Sequence, residues 1–400
     1  MVMEREPYPD CPRSVVHPPP SPRKVGIPAV KVCPDRDSFA RADAVSSASS
    51  PNLPRPNDVE QTNVEQTNVN LSCPCCGAEA FRQAVLRETI AWETRLREAF
   101  ARRRTNGDGD DKDRTAFAHE RVVELHECSR CGLLVRGDLD DDFTEIYAGD
   151  PYDETVLEHF LERDIAFFAQ KEADYAPLLP QGACVVEVGS YAGGFLHVAA
   201  EWGWQATGVD IGEDVARFAN ARGYETRRCT LEGAGFDEAA LDAVFLWNCF
   251  DQLPDPGATL AEAHRILRPG GIVVIRVPNA LFYRLCQPLL RFAGRRGEDG
   301  LSERTITKVM GYNNLLGFPY QYGFAPPNLG RMLRRHGFTP ERFTTSHLLM
   351  LPEAESPAWA IEDQRATTAL LASLGEAVAA IHADVLVGPW IECVARKPAG

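Results

Sequence analysis

Nowhere in the 400 residues does an apolar run approach the roughly 18 residues that a membrane-spanning helix requires. Membrane partners are therefore not expected. The N-terminus carries Pro and charged residues where an export signal would place its apolar segment, so the expected location is cytoplasmic. A basic excess is lacking too: 42 Lys and Arg stand against 57 Asp and Glu, a formal charge of −15. Such a chain offers no broad electrostatic surface to a phosphate backbone, and nucleic acid is not an expected partner. Without an export signal, the 12 cysteines read as thiols or metal ligands rather than as a disulfide framework.

What is present is ordinary globular material, 44% hydrophobic and 25% charged, enough for more than one domain. Residues 1–70 are the exception. They are rich in Pro and Ser, include Pro18-Pro19-Pro20, and place few aliphatic side chains at helical or strand period. A segment that cannot bury apolar surface cannot offset its ordering entropy, so it reads as a disordered arm. Residues 71–150 read as a second region, built on paired cysteines, and residues 151–400 as an α/β domain.

Cys73-Pro74-Cys75-Cys76-Gly77 and Cys128-Ser129-Arg130-Cys131-Gly132 each read C-x-x-C-G. Two thiolates project from one tight turn, the glycine lets the backbone fold under a metal, and two such knuckles complete a tetrahedron. Cys73, Cys76, Cys128 and Cys131 are the candidate ligands of a structural zinc ion; Cys75 competes, but adjacent side chains such as Cys75 and Cys76 would have to converge. The stretch between the knuckles, Arg82 to Arg104, carries Val85, Ile90, Trp92, Leu96 and Phe100 at a spacing that predicts an amphipathic helix, inserted in a zinc ribbon.

From Glu154 the pattern alternates. Helices are predicted over Glu154–Tyr175, Phe195–Trp202, Glu213–Arg222 and Ala258–Leu267, and strands over Ala183–Val188, Gln205–Val209, Glu225–Cys229, Asp242–Trp247 and Gly271–Val277. Further on, a helix near Pro327–His336, a strand near Arg342–Met350, a helix near Ala358–Ala383 and a final strand Trp390–Ala395 follow. The expectation is a doubly wound, mostly parallel seven-stranded sheet with helices on both faces. Cys184, Cys229, Cys249 and Cys393 lie in or beside these apolar runs and read as small buried hydrophobes.

Glu187-Val188-Gly189-Ser190-Tyr191-Ala192-Gly193 joins the first of these strands to a helix. A P-loop would end in Gly-Lys-Ser/Thr, and no Lys is present. A dinucleotide fingerprint would have Gly where Tyr191 stands. What remains is acidic-x-Gly-x-x-x-Gly, followed one helix and one strand later by Gly208-Val209-Asp210, where a carboxylate can hold a ribose diol.

The ordered combination Glu187-x-Gly189, Asp210, Leu253-Pro254-Asp255-Pro256 and Arg268-Pro269-Gly270-Gly271 resembles the class I, seven-stranded S-adenosylmethionine-dependent methyltransferases. With the knuckles in front, the chain is similar to the subgroup that carries an N-terminal zinc ribbon and methylates sugars and other small molecules. The resemblance implies S-adenosylmethionine as cofactor and a small-molecule acceptor. It implies a cofactor loop at Glu187, Gly189, Tyr191 and Gly193, ribose contact at Asp210, adenine contact near Leu231 and Glu232, and Trp247 and Asn248 at the methionine end.

Many relatives in that family have Glu-His after the fourth strand, whereas this chain has Asn248-Cys249-Phe250-Asp251-Gln252. Asp251 is the candidate base there; the alternative is catalysis by in-line positioning alone. On the acceptor side, Thr305–Phe324 concentrates Tyr312, Asn314, Tyr320 and Tyr322 in a long non-periodic segment and reads as a substrate lid. Arg276 and Asn279, at the same sheet edge, read as contacts to an anionic or sugar-like group. A catalytically silent cofactor-binding or scaffold protein is the competing function, and the sequence leaves the oligomeric state open.

Overall fold

The computed structural model describes residues 72–83, 125–136, 153–282, 284, 321–346, 386 and 388–399. The predicted arm, the interior of the inserted helix, the helix near 358–383 and most of the lid, including Tyr312, Asn314 and Tyr320, lie outside the described residues.

Short strands β1 (Phe81–Gln83), β2 (Leu125–Cys128) and β3 (Leu134–Arg136) form an antiparallel ribbon carrying the knuckles. Arg82 therefore stands in a strand, pairing with Glu127, rather than opening a helix.

The helix predicted over 154–175 is broken. Helix α1 runs Glu154–Ala169, its N-cap Asp153 accepting from Thr155 N at 2.8 Å, and a single turn α2 follows at Glu172–Tyr175. The break lies at Lys171, whose ammonium turns inward onto Glu392. Beyond it come β4 (Cys184–Val188), α3 (Gly194–Glu201), β5 (Gln205–Asp210), α4 (Glu213–Ala221) and β6 (Thr226–Arg228). The second half comprises β7 (Leu241–Trp247), α5 (Pro256–Ile266), β8 (Leu267–Pro278), β9 (Tyr322–Gly323), α6 (Pro326–Arg335), β10 (Thr339–Ser346) and β11 (Trp390–Arg396).

The main sheet has seven strands in the order β10-β11-β8-β7-β4-β5-β6. Pairs from β6 to β8 are parallel, and β11 runs antiparallel to both β8 and β10. This is the doubly wound, mostly parallel sheet that the alternating pattern predicts, with the hairpin-like edge supplied by β10 and β11.

The period of two along a strand sends alternate residues to opposite layers. Val185, Phe245, Trp247, Val274 and Val394 pack with Phe168 of α1 and Phe195 of α3. Val186, Leu246, Ile275 and Val277 pack with Leu260 of α5 and Leu333 of α6. Both faces being covered explains why the central strands are near-continuous apolar runs.

Two charges interrupt those runs. Arg276 of β8 and Glu392 of β11 are register partners, both buried, with Nε 3.4 Å from Oε1. Glu392 also receives the Lys171 ammonium and, at 2.5 Å, the Tyr175 hydroxyl; Arg276 donates to Ser346 Oγ at 3.0 Å and lies over the Trp390 ring at 4.2 Å. Burial opposes the Glu392 charge, but Arg276 and then Lys171 outweigh it and hold the carboxyl below its usual range. Glu392→Gln leaves the buried Arg276 and the half-buried Lys171 short of their counter-charge, and urea unfolding at neutral pH is expected to show a loss of about 3–5 kcal/mol. A loss under about 1 kcal/mol would mean that the network adds nothing over ordinary packing.

Candidate active site

The carboxyl ends of β7, β4 and β5 lie side by side in the sheet, the edge at which parallel α/β sheets generally arrange their ligand sites. β4 ends with Glu187 and Val188, and the chain then turns sharply. Gly189 (φ 69°), Tyr191 (φ 49°) and Gly193 (φ 90°) are all left-handed, an arrangement that glycine tolerates and that Tyr191 adopts under restraint. The restraint is Asp210: its Oδ2 accepts from Tyr191 N at 2.9 Å while its Oδ1 accepts from Gly212 N at 2.9 Å. The Gly189 N–H donates to Val209 O at 2.8 Å, so the turn is stitched to β5 along its length.

The turn is also tight against its neighbours. A Cβ on Gly189 would come within 3.1 Å of Cys249 Cβ, and one on Gly193 within 2.8 Å of the Tyr224 ring. The Cys249 thiol is half-buried and donates to Val188 O at 3.1 Å, fixing the strand end from the far side. Cys184 is likewise half-buried, whereas Cys229 and Cys393 are buried as expected of small hydrophobes.

Glu187 is buried, and its Oε2 has no hydrogen-bond partner. Burial, then the nearby charges of Asp164 and Asp210, push its carboxyl well above the usual range. Asp251, in the turn after β7, is fully buried with neither carboxylate oxygen partnered, and burial pushes it up to about 8 against the pull of Arg276. Unsatisfied buried oxygens are uncommon and mark places where a ligand can complete the bonding.

Trp247 is buried among Phe168, Tyr175, Phe195 and Phe245, and its indole N–H has no partner. Asn248 (φ 60°) accepts at Oδ1 from Arg276, which leaves its amide N–H₂ as the free end. Leu231 is buried in the core, and Glu232, exposed after β6, accepts from Thr259 Oγ1 at 2.7 Å.

Three residues expected on the acceptor side have other work. Arg276 is enclosed by Glu392, Ser346 and Asn248 rather than presented to a ligand. Asn279 spends its side chain on backbone: Nδ2 donates to Leu386 O and Gly388 O, each at 2.9 Å, and Oδ1 accepts from Leu281 N at 3.1 Å. Tyr322 is a residue of β9, paired with Val135 of the ribbon, and its hydroxyl donates to Pro254 O at 3.2 Å. All three are buried. Sequence reasoning missed Asp164, Lys171, Tyr175 and Glu392; the charge of Glu392 inside the apolar Trp390–Arg396 strand was the available signal.

The cysteine cluster is assembled as the spacing predicts. The Sγ atoms of Cys73, Cys76, Cys128 and Cys131 all lie within 4.8 Å of one another, with Cys73 to Cys131 at 3.6 Å and Cys76 to Cys128 at 3.5 Å. Disulfide bonding would need about 2.05 Å, whereas a tetrahedron of Zn–S bonds of about 2.3 Å places its sulfurs about 3.8 Å apart. Cys75 is not one of these four, and its thiol donates to Asn328 O at 3.3 Å.

The strand order and the glycine turn are those of a Rossmann-like methyltransferase fold. Residues 156–341 match the family model described as a methyltransferase domain. Dimethylglycine N-methyltransferase of Parasynechococcus marenigrum is 32% identical over 129 residues, 29% of this chain and 46% of that protein. C-methyltransferase NovU of Streptomyces niveus is 31% identical over 105 residues, covering 25% of each. A ubiquinone biosynthesis O-methyltransferase of Xanthomonas axonopodis pv. citri is 28% identical over 111 residues, 26% of this chain and 46% of that protein. The chain thus spans less than half the length of these relatives.

Gly189→Val places a β-branched side chain at a left-handed residue, against Cys249. Calorimetric titration with S-adenosylhomocysteine is expected to show binding abolished while far-ultraviolet circular dichroism shows the sheet retained. A folded variant with normal affinity would refute the placement of the ligand at this turn.

Proposed function

We propose that the chain is a methyltransferase that moves the methyl group of S-adenosylmethionine to oxygen, nitrogen or carbon of a small-molecule acceptor, a sugar or secondary metabolite being the class that its ribbon-bearing resemblance favours. The observation that carries this reading is the unpartnered Glu187 Oε2, buried beside a turn whose Gly189 and Gly193 are both left-handed. When bound, S-adenosylmethionine supplies a methyl group already activated on a positively charged sulfur.

Each residue then has a task that its geometry supports. Asp210 holds Tyr191 and Gly212 with one lone pair of each oxygen, and the remaining lone pairs are those that would take the ribose hydroxyls. Glu187 offers its unused oxygen to a donor on the cofactor. Leu231 and Glu232 stand at the adenine edge, and Trp247 with the Asn248 amide at the methionine end. The Asp251 carboxylate would take the proton that the acceptor's nucleophilic atom gives up on accepting the methyl group that the cofactor would supply. Cys73, Cys76, Cys128 and Cys131 would hold zinc with no open coordination position, which makes that ion structural.

Asp210→Ala is expected to weaken S-adenosylmethionine binding by about 1.5–3 kcal/mol, since charge-assisted hydrogen bonds and the support of the Tyr191 turn are lost together. Unchanged affinity in a titration would remove Asp210 from the site.

Asp251 makes a pH prediction with a definite sign. Its ionised form is the base, and its carboxyl is pushed up to about 8, so the rate at saturating substrate is expected to rise through about pH 8 and then level. The same shift weakens the fold: the folded state holds this proton more tightly than the unfolded one, whose value is 3.8, so stability falls as pH rises between 3.8 and about 8. Asp251→Asn is expected to cut turnover by roughly a hundredfold and flatten the stability decline. A rate within a few fold of the parent would assign catalysis to positioning alone, and no turnover of any acceptor by the parent protein would favour the silent scaffold.

A further inference from the structure

The ribbon and the wall of the cleft that carries Asp251 are joined through one residue. The Gln321 carbonyl accepts from Arg136 N of the ribbon at 3.0 Å, and the Gln321 N–H donates to the Asp251 carbonyl at 2.8 Å. The next two residues, β9, pair with Val135 and Leu134 of β3, which makes β9 the fourth strand of the ribbon's own sheet. Tyr322 at the same time bonds Pro254, and Phe324 sets its ring 5.2 Å from that of Phe250. Segment 321–324 is thus bonded to the ribbon along one edge and to the turn around Asp251 along the other.

Packing follows the same path. Cys73, Cys75, Leu133 and Val135 belong to one apolar cluster with Phe250, Tyr322, Phe324 and Leu329. The first knuckle is further tied to α6, where Asn328 O accepts from the Cys75 thiol and Arg335 Nη1 donates to Cys75 O at 3.5 Å. Three ribbon strands of three or four residues are too short to hold their register by pairing alone, so their order depends on the thiolate cluster above and this shared core below. The cofactor wall is differently supported: Gly189, Tyr191 and Asp210 bond within β4, β5 and the turn between them.

Resting on the reading of Asp251 as the acceptor-side base, we propose that the zinc-bound knuckles are a positioning element of the active site, with Gln321 as the residue that passes their order to the Asp251 turn. Metal occupancy then governs the acceptor wall and leaves cofactor capture intact. A metal that merely kept the ribbon folded would not reach Asp251.

The test compares the full chain, zinc-loaded and stripped by chelator, with zinc counted by elemental analysis. Amide exchange is followed by mass spectrometry, and S-adenosylhomocysteine affinity by calorimetry. Stripping is expected to raise exchange over 249–255 and 321–324 by about tenfold or more, with exchange over 184–193 and 205–212 unchanged and affinity within about threefold. Extra exchange confined to 72–83 and 125–136, with normal affinity, overturns the coupling alone. Absence of zinc from the purified protein overturns it as well. No binding in either form overturns the methyltransferase reading on which the proposal rests. Should the stripped protein unfold, Gln321→Pro removes the N–H that reaches Asp251 while sparing all four cysteines. It is expected to keep its zinc and its affinity and to raise exchange over 249–255; unchanged exchange there overturns the proposal.

Discussion

Everything at the carboxyl edge of the sheet is arranged around one buried pair, Arg276 and Glu392, facing each other where a parallel strand meets a reversed one. Neither charge can be left alone in that layer, because a buried ion without its partner costs several kcal/mol. Each is therefore surrounded until its bonding is complete, and the surroundings come from distant parts of the chain. Lys171 and Tyr175 arrive from the end of α1 and from α2, Ser346 from β10, and Asn248 from the turn after β7. The pair fixes where α1 stops, and it holds Asn248 in its left-handed conformation at the mouth of the cleft.

The carboxyl edge is an enclosure of acids: the charges of Asp164 and Asp210 raise Glu187 further, and those of Asp251, Glu187 and Asp210 raise Cys249. An enclosure of this kind disfavours an anionic ligand and suits one bearing positive charge, since a cation relieves the repulsion that forces protons onto the carboxyls. A sulfonium is such a ligand, and its charge disappears when the methyl group leaves.

How much of this could be read in the chain depended on the range of the interaction. Strands β4 to β8 and the helices between them announce themselves through local periodicity, and the Glu187–Gly193 turn through residues adjacent in sequence. The knuckles were equally legible, because two ligands of each lie three residues apart. The bonding of Arg276, Asn279 and Tyr322 was not legible, for the converse reason. A polar residue at the end of a strand looks ligand-facing until its partners are known, and here those partners, Glu392, Leu386 with Gly388, and Val135, lie far away in sequence. A charge inside an apolar strand, as at Glu392, implies an opposite charge elsewhere, but composition alone does not say which.

The break between ribbon and methyltransferase domain, plain in the sequence, is absent from the packing of the described residues. A boundary drawn at residue 150 cuts the apolar cluster that runs from Cys73 to Leu333 and separates β3 from β9. Domains that fold apart need separate cores, and the ribbon's few apolar side chains do not make one. Its strands instead complete their hydrogen bonding against β9, whose neighbour Gln321 bonds the Asp251 carbonyl in the post-β7 turn. The ribbon is therefore held from two sides, by the four-thiol cluster and by the apolar core it shares with Phe250 in the turn after β7.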